Sequence, residues 1–120
     1  MSDIQLGVIE AKFADIIWKN EPISSSELVK MSESELGWKK STTFTVLRRL
    51  SEKGIFKNEK GSVSSLISRD EFYSMQSEKF VDETFAGSLP AFLAAFTKRK
   101  NLTKEEIASL RRMVAEYEVD

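Results

Sequence analysis

The stretch Gly37-Trp38-Lys39-Lys40-Ser41-Thr42-Thr43-Phe44-Thr45-Val46-Leu47-Arg48-Arg49-Leu50-Ser51-Glu52-Lys53-Gly54 decides the fold. Thr43, Val46, Leu47 and Leu50 stand at i, i+3, i+4 and i+7, the spacing of a single buried helical stripe. With a helical advance of about 100° per residue, Ser41, Thr45, Arg48 and Glu52 fall on the opposite face, flanked by Thr42, Phe44 and Arg49. Gly54 is a C-cap. The spacing predicts a helix over roughly 39–53 that buries an apolar stripe and shows hydroxyls and cations to solvent. That is how a helix that enters a DNA groove is built.

Charge supports this reading. The whole chain has a formal net charge of -1. Between residues 37 and 60, however, seven cations (Lys39, Lys40, Arg48, Arg49, Lys53, Lys57, Lys60) face two anions, Glu52 and Glu59. The segment is therefore +5 and the rest of the chain -6. A basic segment in an acidic chain is the footprint of a polyanionic partner.

Working towards the N-terminus, Ser32 to Gly37 reads as a polar turn. Before it, a helix is expected from Glu27 to about Glu33, capped by Ser25 or Ser26 and carrying Leu28, Val29 and Met31. Ile23-Ser24 suits a very short strand. The first helix is expected from about Leu6 to Trp18, with Ile9, Phe13, Ile16 and Ile17 at helical spacing. Asn20-Glu21-Pro22 ends it. Towards the C-terminus, Ile55–Asn58 and Val63–Ile67 flank Glu59-Lys60-Gly61-Ser62, which predicts a hairpin. Three helices followed by a hairpin is the order of a winged helix-turn-helix.

After Ser68 the chain reads as helical. Arg69–Phe85 carries Phe72, Met75, Phe80, Val81 and Phe85. After Gly87, Ser88 caps a short helix with Pro90 in its first turn and a stripe of Leu89, Phe92, Leu93 and Phe96. A basic turn at Lys98-Arg99-Lys100 follows. Thr103 and Glu106 then form a capping box ahead of Ile107, Leu110, Met113, Val114 and Tyr117. The expected architecture is mainly α with a small β-hairpin: a winged helix-turn-helix DNA-binding domain over 1–68 and a helical dimerisation region over 69–120. Five of the eight phenylalanines lie between 72 and 96, too much aromatic surface for three helices without a compact core or a partner.

Composition removes several classes of function. The chain has neither cysteine nor histidine, so it has no disulfide framework, no thiolate metal site and no imidazole base or ligand. There is no Gly-rich phosphate loop, no pair of carboxylates in an apolar setting and no apolar run long enough to span a bilayer. No enzyme, metal or cofactor is expected, and a reducing cytoplasm fits the absence of thiols.

The ordered series along the chain resembles the BlaI/MecI/CopY family of penicillinase-type repressors. Glu10, Phe13, Ile17 and Trp18 resemble that family's opening helix. Gly37-Trp38, Thr42, Thr45, Val46, Leu47, Arg49, Leu50 and Lys53-Gly54 resemble its recognition helix. Phe80, Phe85 and Gly87-Ser88-Leu89 resemble the start of its C-terminal dimerisation region. The resemblance implies a homodimeric repressor on a palindromic operator of double-stranded DNA. It also implies a membrane-embedded zinc metalloprotease receptor whose activation leads to cleavage of the repressor. Three departures stand out. The cysteine cluster of the copper-responsive branch is absent. Ala95-Phe96 occupies the place of the Asn-Phe cleavage bond of the β-lactam-responsive members. Ser41 and Phe44 replace residues that are often cationic in the family, which points to a shifted operator preference.

The expected DNA-binding residues are Lys39, Lys40, Ser41, Thr42, Phe44, Thr45, Arg48, Arg49, Lys57 and Lys60. Lys39 and Lys40 oppose the helix dipole, a penalty that phosphates at the same place would offset. Thr42 and Thr45 suit base edges and thymine methyls better than they suit helix stability. Arg48 and Arg49 are backbone clamps, with guanine readout open to Arg48. Phe44 either leans into the core or offers its ring to a thymine methyl. Lys57 and Lys60 either contact phosphate or belong to a solvated hairpin tip. The expected dimer interface is Phe80, Phe85, Leu89, Phe92, Leu93, Phe96, Leu110 and Met113; the bland alternative is an intramolecular core. Two other functions remain open: a regulator whose C-terminal aromatics line a small-molecule pocket, and an adaptor that has lost DNA binding.

Overall fold

The computed structural model describes residues 6–119. Helix α1 (Val8–Asn20) leads into strand β1 (Ile23–Ser24), followed by α2 (Ser25–Leu36) and α3 (Lys40–Glu52). Strands β2 (Phe56–Glu59) and β3 (Ser62–Ser65) follow, then α4 (Arg69–Phe85), α5 (Leu89–Arg99) and α6 (Lys104–Glu116). The antiparallel sheet has the order β1-β3-β2, with Ile23 opposite Val63 and Phe56 opposite Ser65. Three helices and a hairpin edged by a short strand make a winged helix-turn-helix, with further helices after it. No helix among the described residues is long and apolar enough to cross a membrane.

The α3 stripe reads as expected: Thr43, Val46, Leu47 and Leu50 are its buried residues. They join Phe13, Ala14, Ile16 and Ile17 of α1, Leu28 of α2, Ile23, Ile55, Phe56 and Val63 from the sheet side, and Phe72 of α4. Beyond α3, Gly54 at φ +82° lets the Ile55 N–H reach the Leu50 carbonyl at 3.1 Å, the closure of a left-handed helix stop. Lys60 and Gly61 both have positive φ and form a two-residue hairpin turn, which Asn58 Oδ1 supports by accepting the Gly61 N–H at 3.0 Å.

Four details differ from the sequence reading. Helix α2 begins two residues earlier, because Ser24 rather than Ser25 or Ser26 is the cap; its hydroxyl accepts the Glu27 N–H at 3.1 Å. It also runs through to Leu36, so the expected polar turn is helix, and Gly37 at φ +70° ends it. Ile9 is exposed rather than part of the core, although Leu6, just before the helix, packs on that core. Lys98 and Arg99 form the last turn of α5 rather than a separate turn, where cations complement the C-terminal dipole.

The chain divides into two compact units, the first ending at Ser77 and the second running from Glu78. In the first unit, Trp18 ties the start of α4 to the winged helix. Its Nε1–H donates to the Ile67 carbonyl at 3.0 Å, and its ring lies 5.6 Å from that of Phe72. Arg69 donates to Asp15 at 3.0 Å and stacks over Tyr73. In the second unit, Phe85 and Phe92 pack edge to face at 5.7 Å, and Phe80 lies 6.0 Å from Phe92. No described residue beyond Phe72 is buried.

Candidate nucleic-acid interface

Because the apolar stripe of α3 is anchored in the core, the opposite face has to point outward. Lys40, Ser41, Thr42, Thr45, Arg48 and Arg49 are all exposed. The turn between α2 and α3 is only residues 37–39, short enough to hold both helices as a fixed pair. The polar face of α3 is therefore presented by a rigid scaffold.

The start of α3, like that of α1 at Gly7, has no side-chain cap, but it alone opens on lysine. Helices α2, α5 and α6 open on a Ser or Thr whose hydroxyl accepts a backbone N–H. Helix α3 opens on Lys39 with no side-chain cap. Its first-turn N–H groups and the Lys39 and Lys40 ammonium groups thus gather positive potential at one exposed end, which suits an anion such as phosphate. Neither lysine has an ion pair among the described residues, and nor does the exposed Arg48.

The remaining expected residues are in varied settings. Thr45 Oγ1 donates to the Ser41 carbonyl at 2.9 Å. Its lone pairs and methyl remain outward, so in this conformation it suits a base amino group or a thymine methyl. Phe44 packs against the core cluster while part of its ring stays open. Lys57 bridges to Glu59 at 2.9 Å, and Lys60 is exposed at the hairpin tip. Arg49 Nη1 donates to Glu10 Oε2 at 2.6 Å. Sequence reasoning missed this pairing, since Glu10 and Arg49 are 39 positions apart and on different helices.

A family model described as the penicillinase repressor matches residues 6–116. The chain belongs to the penicillinase repressor family. This is a family of transcriptional repressors rather than enzymes. Among its relatives, the penicillinase repressor of Bacillus licheniformis is 26% identical over 117 residues, covering 94% of this chain and 91% of that protein. The methicillin resistance regulatory protein MecI of Staphylococcus aureus is 22% identical over 114 residues, covering 92% and 93%. The S. aureus penicillinase repressor is 25% identical over 112 residues, covering 90% and 89%. The family match spans both compact units, so winged helix and C-terminal helices alike belong to the shared architecture.

The residues expected at the dimer interface are placed within the second unit, apart from any core. Phe80, Leu89, Phe96 and Met113 are exposed, while Phe85, Phe92, Leu93 and Leu110 are half-buried. Between α5 and α6 lies an open groove of about 410 Å³, whose apolar lining includes Phe92, Leu93, Phe96, Leu102 and Leu110. Ala95 and Phe96 are both exposed on α5.

Proposed function

We propose that this repressor acts as a homodimer, laying α3 of each subunit into the major groove of one half-site of a palindromic operator. The observation that carries this reading is the exposed face of α3: uncapped lysines at its start, hydroxyls along its length and Arg48 and Arg49 near its end. Lys39, Lys40, Arg48, Arg49 and the wing lysines Lys57 and Lys60 contact the phosphate backbone, with guanine readout open to Arg48. Ser41, Thr42, Thr45 and the open part of Phe44 read base edges. Phosphate contacts fix register, and base contacts give preference. The DNA-binding domain is 1–68, and 69–120 is the dimerisation region.

The absence of buried residues among those described in the second unit supports dimerisation. Helices whose apolar residues find no core within their own unit gain most by burying them against a second copy. A dimer also brings two half-sites within reach, spaced by about one helical turn of roughly 34 Å or a multiple of it. Release in the cytoplasm by cleavage at Ala95-Phe96, following activation of a membrane-embedded metalloprotease receptor, would remove the end of α5 and all of α6. A second mode of release, by a small apolar ligand, is favoured by the α5–α6 groove alone.

Titration of labelled duplexes at several salt concentrations tests the reading. Specific binding should weaken with a log–log slope of about -0.9 per phosphate contact. Equal, weak binding to selected and scrambled duplexes overturns it, and light scattering that shows no complex with DNA favours an adaptor instead.

A further inference from the structure

We propose that Glu10 is a positioning residue for DNA binding, its carboxylate holding the Arg49 guanidinium in the orientation that meets a backbone phosphate. The inference rests on the operator-binding reading above and deepens it by adding a residue from α1. Three observations carry it. The Glu10 carboxylate is fixed at both oxygens: Oε1 accepts the Gly7 N–H at 3.2 Å at the start of α1, and Oε2 accepts Arg49 Nη1 at 2.6 Å. The two partners differ in setting, because the Glu10 side chain is 19% exposed and that of Arg49 is 51% exposed. Arg49 sits in the last turn of α3, beside the exposed Arg48 and Glu52.

The carboxylate is thus an enclosed anchor, and the guanidinium is its solvent-facing arm. A guanidinium has five N–H donors in a rigid fork, so one bond to Glu10 leaves others directed elsewhere. A free arginine on a helix surface samples many rotamers and loses that freedom when it meets a phosphate. An arginine already held by a carboxylate loses less, so the bond to DNA forms with a smaller entropic penalty. Glycine at position 7 has no side chain to reciprocate the Glu10 contact, so half of the usual capping box is absent and Glu10 acts through its bond to the Gly7 N–H and to Arg49.

The competing reading is a clip between α1 and α3 that neutralises Arg49. The two readings predict opposite signs. Removing the negative charge of a mere clip raises the net positive charge near DNA and tightens binding. Removing a positioning carboxylate weakens binding despite the added charge.

The test uses the full chain, a duplex selected by the wild-type protein from a random-sequence pool, and a scrambled duplex. Glu10→Gln keeps a neutral acceptor for the Gly7 N–H. It should bind the selected duplex about two- to tenfold more weakly, the range set by the ordering penalty of one side chain. Its salt slope should fall by about one unit, as when one phosphate is no longer held. In an Arg49→Ala background, Glu10→Gln should no longer weaken binding, because the guanidinium that the carboxylate positions is gone. The Arg49 Nε–H resonance, assigned by its disappearance in Arg49→Ala, should shift on addition of DNA to the wild type and stay in place in Glu10→Gln. If Glu10→Gln melts early, Glu10→Asp serves instead, since it keeps the charge and withdraws the carboxylate by one methylene. Equal or tighter binding with an unchanged slope overturns the proposal, as does the same weakening in the Arg49→Ala background. A wild-type protein that binds selected and scrambled duplexes alike overturns the operator reading itself, and this inference with it.

Discussion

Ser32 and Thr43 each bury a hydroxyl that has no hydrogen-bond partner among the described residues. Such a hydroxyl costs about 1–3 kcal/mol relative to an apolar group of the same shape. Thr43→Val keeps the shape and removes the polar atom, so urea denaturation should show a gain of about 1 kcal/mol. A decrease in stability would mean that the hydroxyl has a partner in solution. In the proposed DNA interface the exposed threonines of the same helix read bases instead. Thr45→Ala should alter which duplexes are selected, with little effect on stability. Lys40→Ala with Arg49→Ala should weaken binding to every duplex and lower the salt slope by about one unit for each phosphate that is no longer neutralised. If neither changes binding, α3 presents the wrong face. Which residues of α3 are buried and which exposed was legible in the sequence, because a helical period separates the two without any tertiary information.

Among the elements, α3 and α6 are the most clearly bounded by their own residues. Gly54 stands at φ +82° with open space where a Cβ would be, so only backbone strain opposes a side chain there. Gly54→Ala should therefore destabilise the first unit by about 1–2 kcal/mol, and Gly54→Asn by less, in the same urea assay. For α6, the Glu106 carboxylate accepts the Thr103 N–H at 2.8 Å, and this bond holds its pKa below the usual glutamate range. A depressed folded pKa adds stability above the unfolded value, near about 4.3, and that stability disappears as pH falls through the folded value. Amide exchange at the start of α6 should speed up on acidification across that window, and Glu106→Gln should flatten the response. The extent of α2 was harder to read. Ser32 and Ser34 look like a turn, yet Ser32 stands four residues after Leu28 and occupies a buried slot on the same helical face. A small polar residue in a core position gives no apolar signal.

For the whole molecule the decisive contrast is between its two units. The first encloses a core that runs from Phe13 to Phe72, whereas the second has no buried residue among those described. Self-association should therefore depend on the second unit. Phe96→Asp or Met113→Lys should raise the dimer dissociation constant by about tenfold or more, from the 1.5–3 kcal/mol that burial of one such side chain is worth. Light scattering across a dilution series reads this directly, and an unchanged mass would show that these residues lie outside the interface. The proposed cleavage would fall in this unit too, since Ala95-Phe96 is a helical bond in α5. A protease needs an extended strand in its cleft, so mass spectrometry should find slow cleavage in the folded chain and faster cleavage once α5 is loosened.

Local rules were enough for most of this protein. Periodicity, caps, glycines and a +5 segment determined the helix and hairpin order, the α3 stripe and its polar face, because each depends on residues within a few positions of one another. Only the tertiary structure decided which charges are already paired. Arg49 meets Glu10 across 39 positions, Arg69 meets Asp15 across 54, and Ser65 meets Glu21 across 44. Folding brings such partners together, and no spacing in the chain encodes them. The same holds for the aromatics beyond Phe72, since only the packed chain shows that they leave no side chain buried.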